Sequence, residues 1–285
     1  MPTIKPVSFR KQQGPAFELE VTTREALRKR GLEDELGKPS RPDFHIIFHI
    51  TKGRGTHTID FKRYPVEPGS TLFVCKGQVH IFDTRSKMEG VLVLLTDAFL
   101  QKHGAHSVAL ADGRLFNYHL YSPLVDAKSA RAEQLRDLFQ GMLGEYKGPE
   151  GRKEEVLHHL LQLVLLKADR AKGFSLNDRI TGRVYNDFLR FKNLVETNYT
   201  RTRRAEDYAE RMGRSLKRLN ELCRAATGQT VKAYVDARTV LEIRRHMSVR
   251  DKSVKEIAFA LGFDEPTNLV KYVKRLTGRT PGELF

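Results

Sequence analysis

From Asp43 the chain alternates short apolar runs with turn residues. Phe44-His45-Ile46-Ile47-Phe48-His49-Ile50 is β-branched and aromatic, Gly53-Arg54-Gly55 interrupts it, and Thr56 to Phe61 resumes the pattern, which predicts a hairpin. Pro65 to Ser70 reads as a further turn, Thr71 to Cys75 as a strand, Lys76-Gly77-Gln78 as a turn, and His80 to Thr84 and Gly90 to Leu95 as two more strands. Short strands spaced by Gly and Pro predict a small antiparallel barrel or sandwich. Residues 1 to 40 are polar and irregular, with a charged stretch from Thr23 to Glu35 that is compatible with a helix.

After about residue 97 the period changes to that of helices. Leu135, Leu138, Phe139, Met142 and Tyr146 form one stripe, closed by Gly148-Pro149. A second helix from Gly151 to Lys172 carries Val156, Leu157, Leu160, Leu161, Val164 and Leu165, widened by Leu163 and Leu166. That arc is broader than one barrel face needs. It fits a helix pair buried on its own barrel, a dimer interface, or both. A third helix is expected from Asn177 to about Tyr199, with Lys172-Gly173-Phe174-Ser175 as the linker before it.

The last part of the chain repeats itself. Ala209 and Gly213 recur as Ala258 and Gly262, while Leu219, Thr227, Gly228 and Thr230 recur fifty positions on as Leu269, Thr277, Gly278 and Thr280. A small residue on one short helix, a Gly at the turn and a second helix stopped by Thr-Gly is the layout of a helix-turn-helix, which offers its second helix to the DNA major groove. Val231 to Met247 joins the copies and spans roughly 25 Å at about 1.5 Å per residue. Successive major-groove faces lie roughly 34 Å apart, so a rod of this kind can present two helices to one side of a duplex.

Charge supports that reading. The 285 residues carry a formal net charge of +15, and residues 175–285 hold 23 Lys+Arg against 14 Asp+Glu, a surplus of 9 where the repeat lies. A polyanionic partner follows. Cys75 and Cys223 are too few for a disulfide framework or a zinc cluster and read as buried, reduced thiols. No apolar run approaches membrane-spanning length and the start lacks the apolar core of a signal peptide, so a soluble protein working in the cytoplasm at the nucleoid is expected, with no membrane partner.

Asp178 to Phe285, with its closing Leu276-Thr277-Gly278-Arg279-Thr280-Pro281, resembles the AraC/XylS-type bacterial transcription regulators. Asp43 to Asp83, with Gly53-Arg54-Gly55, Pro68-Gly69-Ser70 and Gly77-Gln78-Val79-His80, resembles the cupin-like sensor domain common in that family. The resemblance implies an α+β protein: a cupin-like antiparallel β-barrel domain over residues 1–125, a helical dimerisation or linker region over 126–174, and an all-α DNA-binding domain over 175–285. It further implies a homodimer that binds double-stranded DNA, answers to a small-molecule effector and touches RNA polymerase, as an activator more often than a repressor. The family places Phe where this chain has Cys223 and Val273, an aromatic at Leu219 and Leu269, and a DNA-facing Ser or Thr at Val270.

In the first repeat Ser215 is the expected N-cap of a recognition helix running to Ala226, with Leu219, Leu222 and Cys223 inward. Lys217, Asn220, Glu221 and Arg224 are then the candidates for base edges, and Arg214 and Arg218 for phosphates: Lys and Arg donate to guanine, Asn pairs with adenine, Glu accepts from cytosine. In the second repeat, Pro266 suits the first helical turn and Leu269, Tyr272, Val273 and Leu276 form the inward stripe. Thr267, Asn268 and Lys271 remain for bases, Lys274 and Arg275 for phosphates.

The histidines do not spell a metal site. His45 and His49 stand four apart, roughly 13 Å along a strand, too far for one ion. Neither a metal nor another cofactor is expected. His45, His57, His80, Phe48 and Phe82 are candidates for a small-molecule pocket inside the barrel, with Arg41 for a ligand carboxylate. An ordinary barrel core with satisfied histidines explains the same residues. No catalytic constellation stands out, and a cupin enzyme tethered to nucleic acid by a basic tail is the rival reading.

Overall fold

Both faces of Phe44–Ile50 are apolar, so a strand made from it needs cover on either side. The computed structural model, which describes residues 5–9, 18–32, 36–102, 115–116, 118, 121–129, 132–149, 151–172, 183–249 and 252–284, provides that cover. β4 (His45–Lys52) is the middle of a sheet ordered β10 (Leu124–Val125), β7 (Thr71–Val74), β4, β9 (Glu89–Leu95), β2 (Leu19–Thr23). A second sheet runs β1 (Lys5–Val7), β3 (Ser40–Pro42), β8 (His80–Phe82), β5 (Gly55–Ile59), β6 (Lys62–Val66). Between the sheets lie Ile46, Phe48 and Ile50 of β4 with Leu72, Val74, Ile59, Val66 and Phe82. On the outer face Ile47, Phe73, Val91 and Val93 meet Leu135, Phe139 and Met142 of α3 (Glu133–Lys147) and Leu157, Leu161, Val164 and Leu165 of α4 (Lys153–Ala171).

The expected hairpin of residues 44–50 with 56–61 does not form. β4 pairs with β7 and β9, whereas β5 pairs with β6 and β8, so the chain changes sheets at Gly53-Arg54-Gly55. Gly53 (φ 76°) permits the crossing because a Cβ there would lie 2.3 Å from the Lys87 carbonyl oxygen. The hairpin that does form, β5–β6, turns on Asp60 and Phe61, both at positive φ, as a two-residue turn matched to strand twist requires. Asp60 holds that turn by accepting from Gln78 Nε2 (2.7 Å) and the Val79 amide (3.1 Å). Pro65 lies within β6 rather than in a turn, and it is tolerated there because β6 is an edge strand.

The polar N-terminal segment also contributes structure. β2 pairs along its whole length with β9. At the start of α1 (Arg24–Lys29), Arg24 is 1% exposed and donates to the carbonyls of Asp83, Ser86 and Met88 at 3.1, 3.2 and 2.8 Å, which ties down the β8–β9 loop. α2 (Asp97–Lys102) follows β9.

Packing divides the chain into units 1–174 and 175–285, so α3 and α4 belong with the barrel. From Gly173 the expected linker lies outside the described residues, as do residues 33–35 of the charged N-terminal stretch and 177–182 of the third helix. The second unit contains α5 (Arg183–Asn198), α6 (Ala205–Arg211), α7 (Leu216–Thr227), α8 (Val231–Val249), α9 (Val254–Ala260) and α10 (Pro266–Thr277). Beyond joining the repeats, α8 is a buried hub. Its Glu242 accepts from Arg238 (2.9 Å) and Arg245 (3.3 Å), Arg238 also reaches Glu196 of α5 (2.9 Å), and the three α8 side chains are at most 6% exposed. Among the described residues no helix is long and apolar enough to cross a membrane.

Candidate nucleic-acid interface and barrel interior

Each repeat folds as a short helix, a turn at a Gly with positive φ, and a twelve-residue second helix. The second helix of the first repeat, α7, starts at Ser215, whose hydroxyl accepts from the Arg218 amide (3.3 Å), and stops at Gly228 (φ 72°). Leu219, Leu222 and Cys223 are buried, and burial pushes the Cys223 thiol up to about 11, so it is a packing residue. Lys217, Arg218, Glu221 and Arg224 are exposed on the opposite face, with Arg218 and Glu221 paired at 3.2 Å.

Two candidates of this repeat are engaged elsewhere. Asn220 is half-buried and its Oδ1 accepts the Val231 amide at 3.0 Å, capping the first turn of α8. Reading adenine needs both ends of the amide. Arg214 pairs with Asp187 of α5 at 2.5 Å, which offsets its charge toward a phosphate. Asn220→Ala is therefore expected to lower the stability of this unit by about 1 kcal/mol, the worth of one hydrogen bond, and to weaken matched and mismatched duplexes alike. Loss confined to one base position would restore Asn220 as a reader.

α10 of the second repeat begins at Pro266 and stops at Gly278 (φ 73°). Leu269 and Val273 are fully buried, while Thr267, Asn268, Lys271, Lys274 and Arg275 are exposed. Tyr272 is half-buried and donates to Asp236 of α8 at 2.6 Å, on the oxygen that Lys232 also engages; burial raises its pKa. Leu276, expected inward, is 39% exposed. It stands in the last turn, at the rim of a cavity of about 400 Å³ shared with Thr230, Ala233, Ala237 and Val240, and the core beneath α10 stops short of it.

Within the barrel the structure brings four candidates together and separates two. His57 stacks on His80 (5.4 Å between ring centroids) and meets Phe82 edge-on (4.7 Å), and Phe48 contacts Phe82 (5.4 Å). His80 Nε2 is 3.1 Å from Ser40 Oγ; its Nδ1 and both nitrogens of His57 have no protein partner. Burial pushes His80 down to about 4 and His57 well below the usual value, the latter helped by His80 and Arg24. Three polar atoms thus stand without a protein partner inside a buried aromatic cluster. His45 lies on the other face of β4, against Phe116 (5.0 Å) and Asp97 (2.8 Å), because odd positions of that strand face the helices. Arg41 is one residue from the inward Ser40 and so points outward, donating to the Gly77 carbonyl at 3.0 Å. Arg24 and Arg203 are the polar anchors that sequence reasoning passed over; an Arg in a charged stretch carries no mark of burial.

Comparison with known proteins agrees with this division of labour. The AraC-like ligand binding domain family matches residues 25–172, more than half of the chain, and the helix-turn-helix domain family matches residues 208–285. Over 248 residues the chain is 23% identical to the HTH-type transcriptional activator RhaS of Yersinia pseudotuberculosis serotype I (strain IP32953), covering 85% of this chain and 86% of that protein. RhaS of Yersinia pestis bv. Antiqua (strain Angola) matches with the same identity and coverage. Among solved structures, ToxT from Vibrio cholerae aligns over 94% of this chain and 97% of its own, with a TM-score of 0.46 and 13% identity. The chain thus belongs to the AraC family, as a DNA-binding helix-turn-helix transcription regulator with an AraC-like ligand-binding domain.

Proposed function

We propose that the protein is a cytoplasmic, dimeric activator that reads DNA with both repeats and is switched by a small molecule held between the two sheets. The observation that carries the reading is the pair of exposed, polar and mainly cationic faces on α7 and α10, backed by buried Leu219 and Cys223 in one and Leu269 and Val273 in the other. Lys217, Glu221, Arg224, Thr267, Asn268 and Lys271 take the base edges, and Arg218, Lys274 and Arg275 the phosphates, while Asn220 and Arg214 hold the scaffold. Activation follows the similarity to RhaS, itself a transcriptional activator, and contact with RNA polymerase is part of the proposal. The effector acts by binding two conformations unequally, with Phe48, His57, His80 and Phe82 as its contacts. A cupin enzyme with a basic tail finds no support in either family match.

Selection of duplexes from a random-sequence library by the full chain, followed by footprinting, tests the reading. Two protected patches about one helical turn apart are expected. Sequence-indifferent binding with steep salt dependence would overturn it.

The dimer is assigned to α4, where Val156, Leu163 and Leu166 are 39%, 44% and 42% exposed at helical spacing. A monomeric chain would normally cover such a row. Leu163→Glu is expected to turn a dimer into a monomer in sedimentation, with the melting temperature nearly unchanged; a wild-type chain that sediments as a monomer contradicts the assignment.

A further inference from the structure

The two repeats are joined twice. The first connection is α8. The second is the segment 199–204 between α5 and α6, which belongs to neither recognition helix yet is fastened to both repeats. Toward the first repeat, Thr202 bonds Asp207, and the Thr202 carbonyl accepts from Tyr208 Oη at 3.0 Å. Toward the second, Tyr199 packs on the core formed by Ile257, Leu261, Phe263, Leu269 and Val273. Arg203 then spreads its guanidinium over the turn between α9 and α10: Nη1 donates to the Leu261 carbonyl (2.8 Å), Nη2 to the Gly262 carbonyl (2.6 Å), and the plane lies 4.0 Å from the Phe263 ring centre. The Thr200 carbonyl sits so close to Gly262 that a Cβ there would be 1.7 Å from its oxygen.

A helix attached at one place can rotate about that attachment, whereas a second attachment off the axis removes the rotation. Resting on the reading that both α7 and α10 enter DNA, we propose that Arg203 is a positioning residue which fixes the angle between the two recognition helices, and thereby the spacing between subsites that the protein accepts. The fork geometry matters here. Two carbonyls and an aromatic face are met by one planar, five-donor group, and Lys reproduces the charge without the fork. The matching turn of the first repeat is held differently, by the Arg214–Asp187 pair to α5, and nothing lies within 4 Å of a Cβ placed on Gly213.

The experiment uses the full chain and a duplex that the wild-type chain selects from a random-sequence library. One base pair is then inserted or removed between the two footprinted subsites. Each change moves the second subsite by about 3.4 Å and about a tenth of a turn. The wild type is expected to lose about tenfold or more in affinity, the worth of one mismatched base pair. Arg203→Lys and Arg203→Met are expected to lose no more than about threefold on the same duplexes, while a duplex with the first subsite alone is bound as by the wild type. Melting curves identify either variant that does not fold, and the other then carries the comparison. Equal spacing penalties in wild type and folded variants overturn the proposal. Absence of any two-part footprint with the wild type instead overturns the two-headed reading beneath it.

Discussion

Lowering the pH from 6.5 toward 4 is expected to unfold the barrel unit before the helix-turn-helix unit. His49, His57 and His80 are each at most 4% exposed, and burial lowers all three: His49 and His80 to about 4, His57 well below 6.5. Arg136 adds to the effect at His49, His80 and Arg24 at His57. Between the folded and unfolded values the unfolded chain binds more protons, so stability rises with pH across that window and is lost as pH falls through it. At about 1.4 kcal/mol per pKa unit, His49 and His80 are each worth roughly 3 kcal/mol, and His57 acts in the same direction. Together they reach the scale of the whole stability of an ordinary domain, about 5–15 kcal/mol.

The second unit has no buried histidine among its described residues. Its His246 is partly exposed and lies 3.5 Å from Glu242. Hydrogen exchange read by mass spectrometry at stepwise pH separates the two units. Barrel protection that stays level from pH 6.5 to 4.5 would contradict the argument. His57→Phe tests the cause: with two unpartnered nitrogens gone, the barrel is expected to gain stability at neutral pH and to lose part of its acid sensitivity.

The repeat could be read from the sequence because its signals are local. Ser215, Pro266, Gly228 and Gly278 act within one turn of their own position, and each sits where cap chemistry puts it. Strand existence was local too, and most barrel strands lie where Gly, Pro and β-branched residues placed them. Strand pairing was not. The hairpin rule assumes that neighbours in sequence pair, but Gly53 turns the chain into the opposite sheet because the Lys87–Met88 backbone lies against it. The β5–β6 turn carries no local signal because neither Asp60 nor Phe61 is a Gly, and its support comes from Gln78 and Val79.

The same distinction governs the site. Inward and outward faces of α7 and α10 follow from helical period, with Leu276 the exception where the supporting core ends. What period cannot show is whether an outward polar group already has a partner. Asn220 looks like a reader of adenine until Val231, eleven residues on, claims its oxygen. Arg203 carries no local mark in its basic run, and its partners Leu261 and Gly262 lie nearly sixty residues away.

Alanine at the two equivalent turn glycines is expected to give unequal results. Gly213 and Gly262 have φ of 64° and 70°, so a side chain is strained at either position, by about 1–2 kcal/mol. At Gly213 nothing else opposes it, and Gly213→Ala is expected to melt slightly earlier and still bind DNA in two patches. At Gly262 the added carbon meets the Thr200 carbonyl at 1.7 Å, backbone against backbone, with no flexible side chain to yield. Either the segment 199–204 lifts away, breaking the Arg203 fork and uncovering Tyr199, or α9 and α10 shift on α8. Both routes sacrifice buried contacts, so Gly262→Ala is expected to lose about 2–5 kcal/mol, overpacking of about 1–3 added to backbone strain of about 1–2. Its footprint should shrink to the first subsite. Equal melting temperatures for the two variants would mean that the segment moves aside at little cost, and a segment that moves so readily could not hold the angle between the recognition helices.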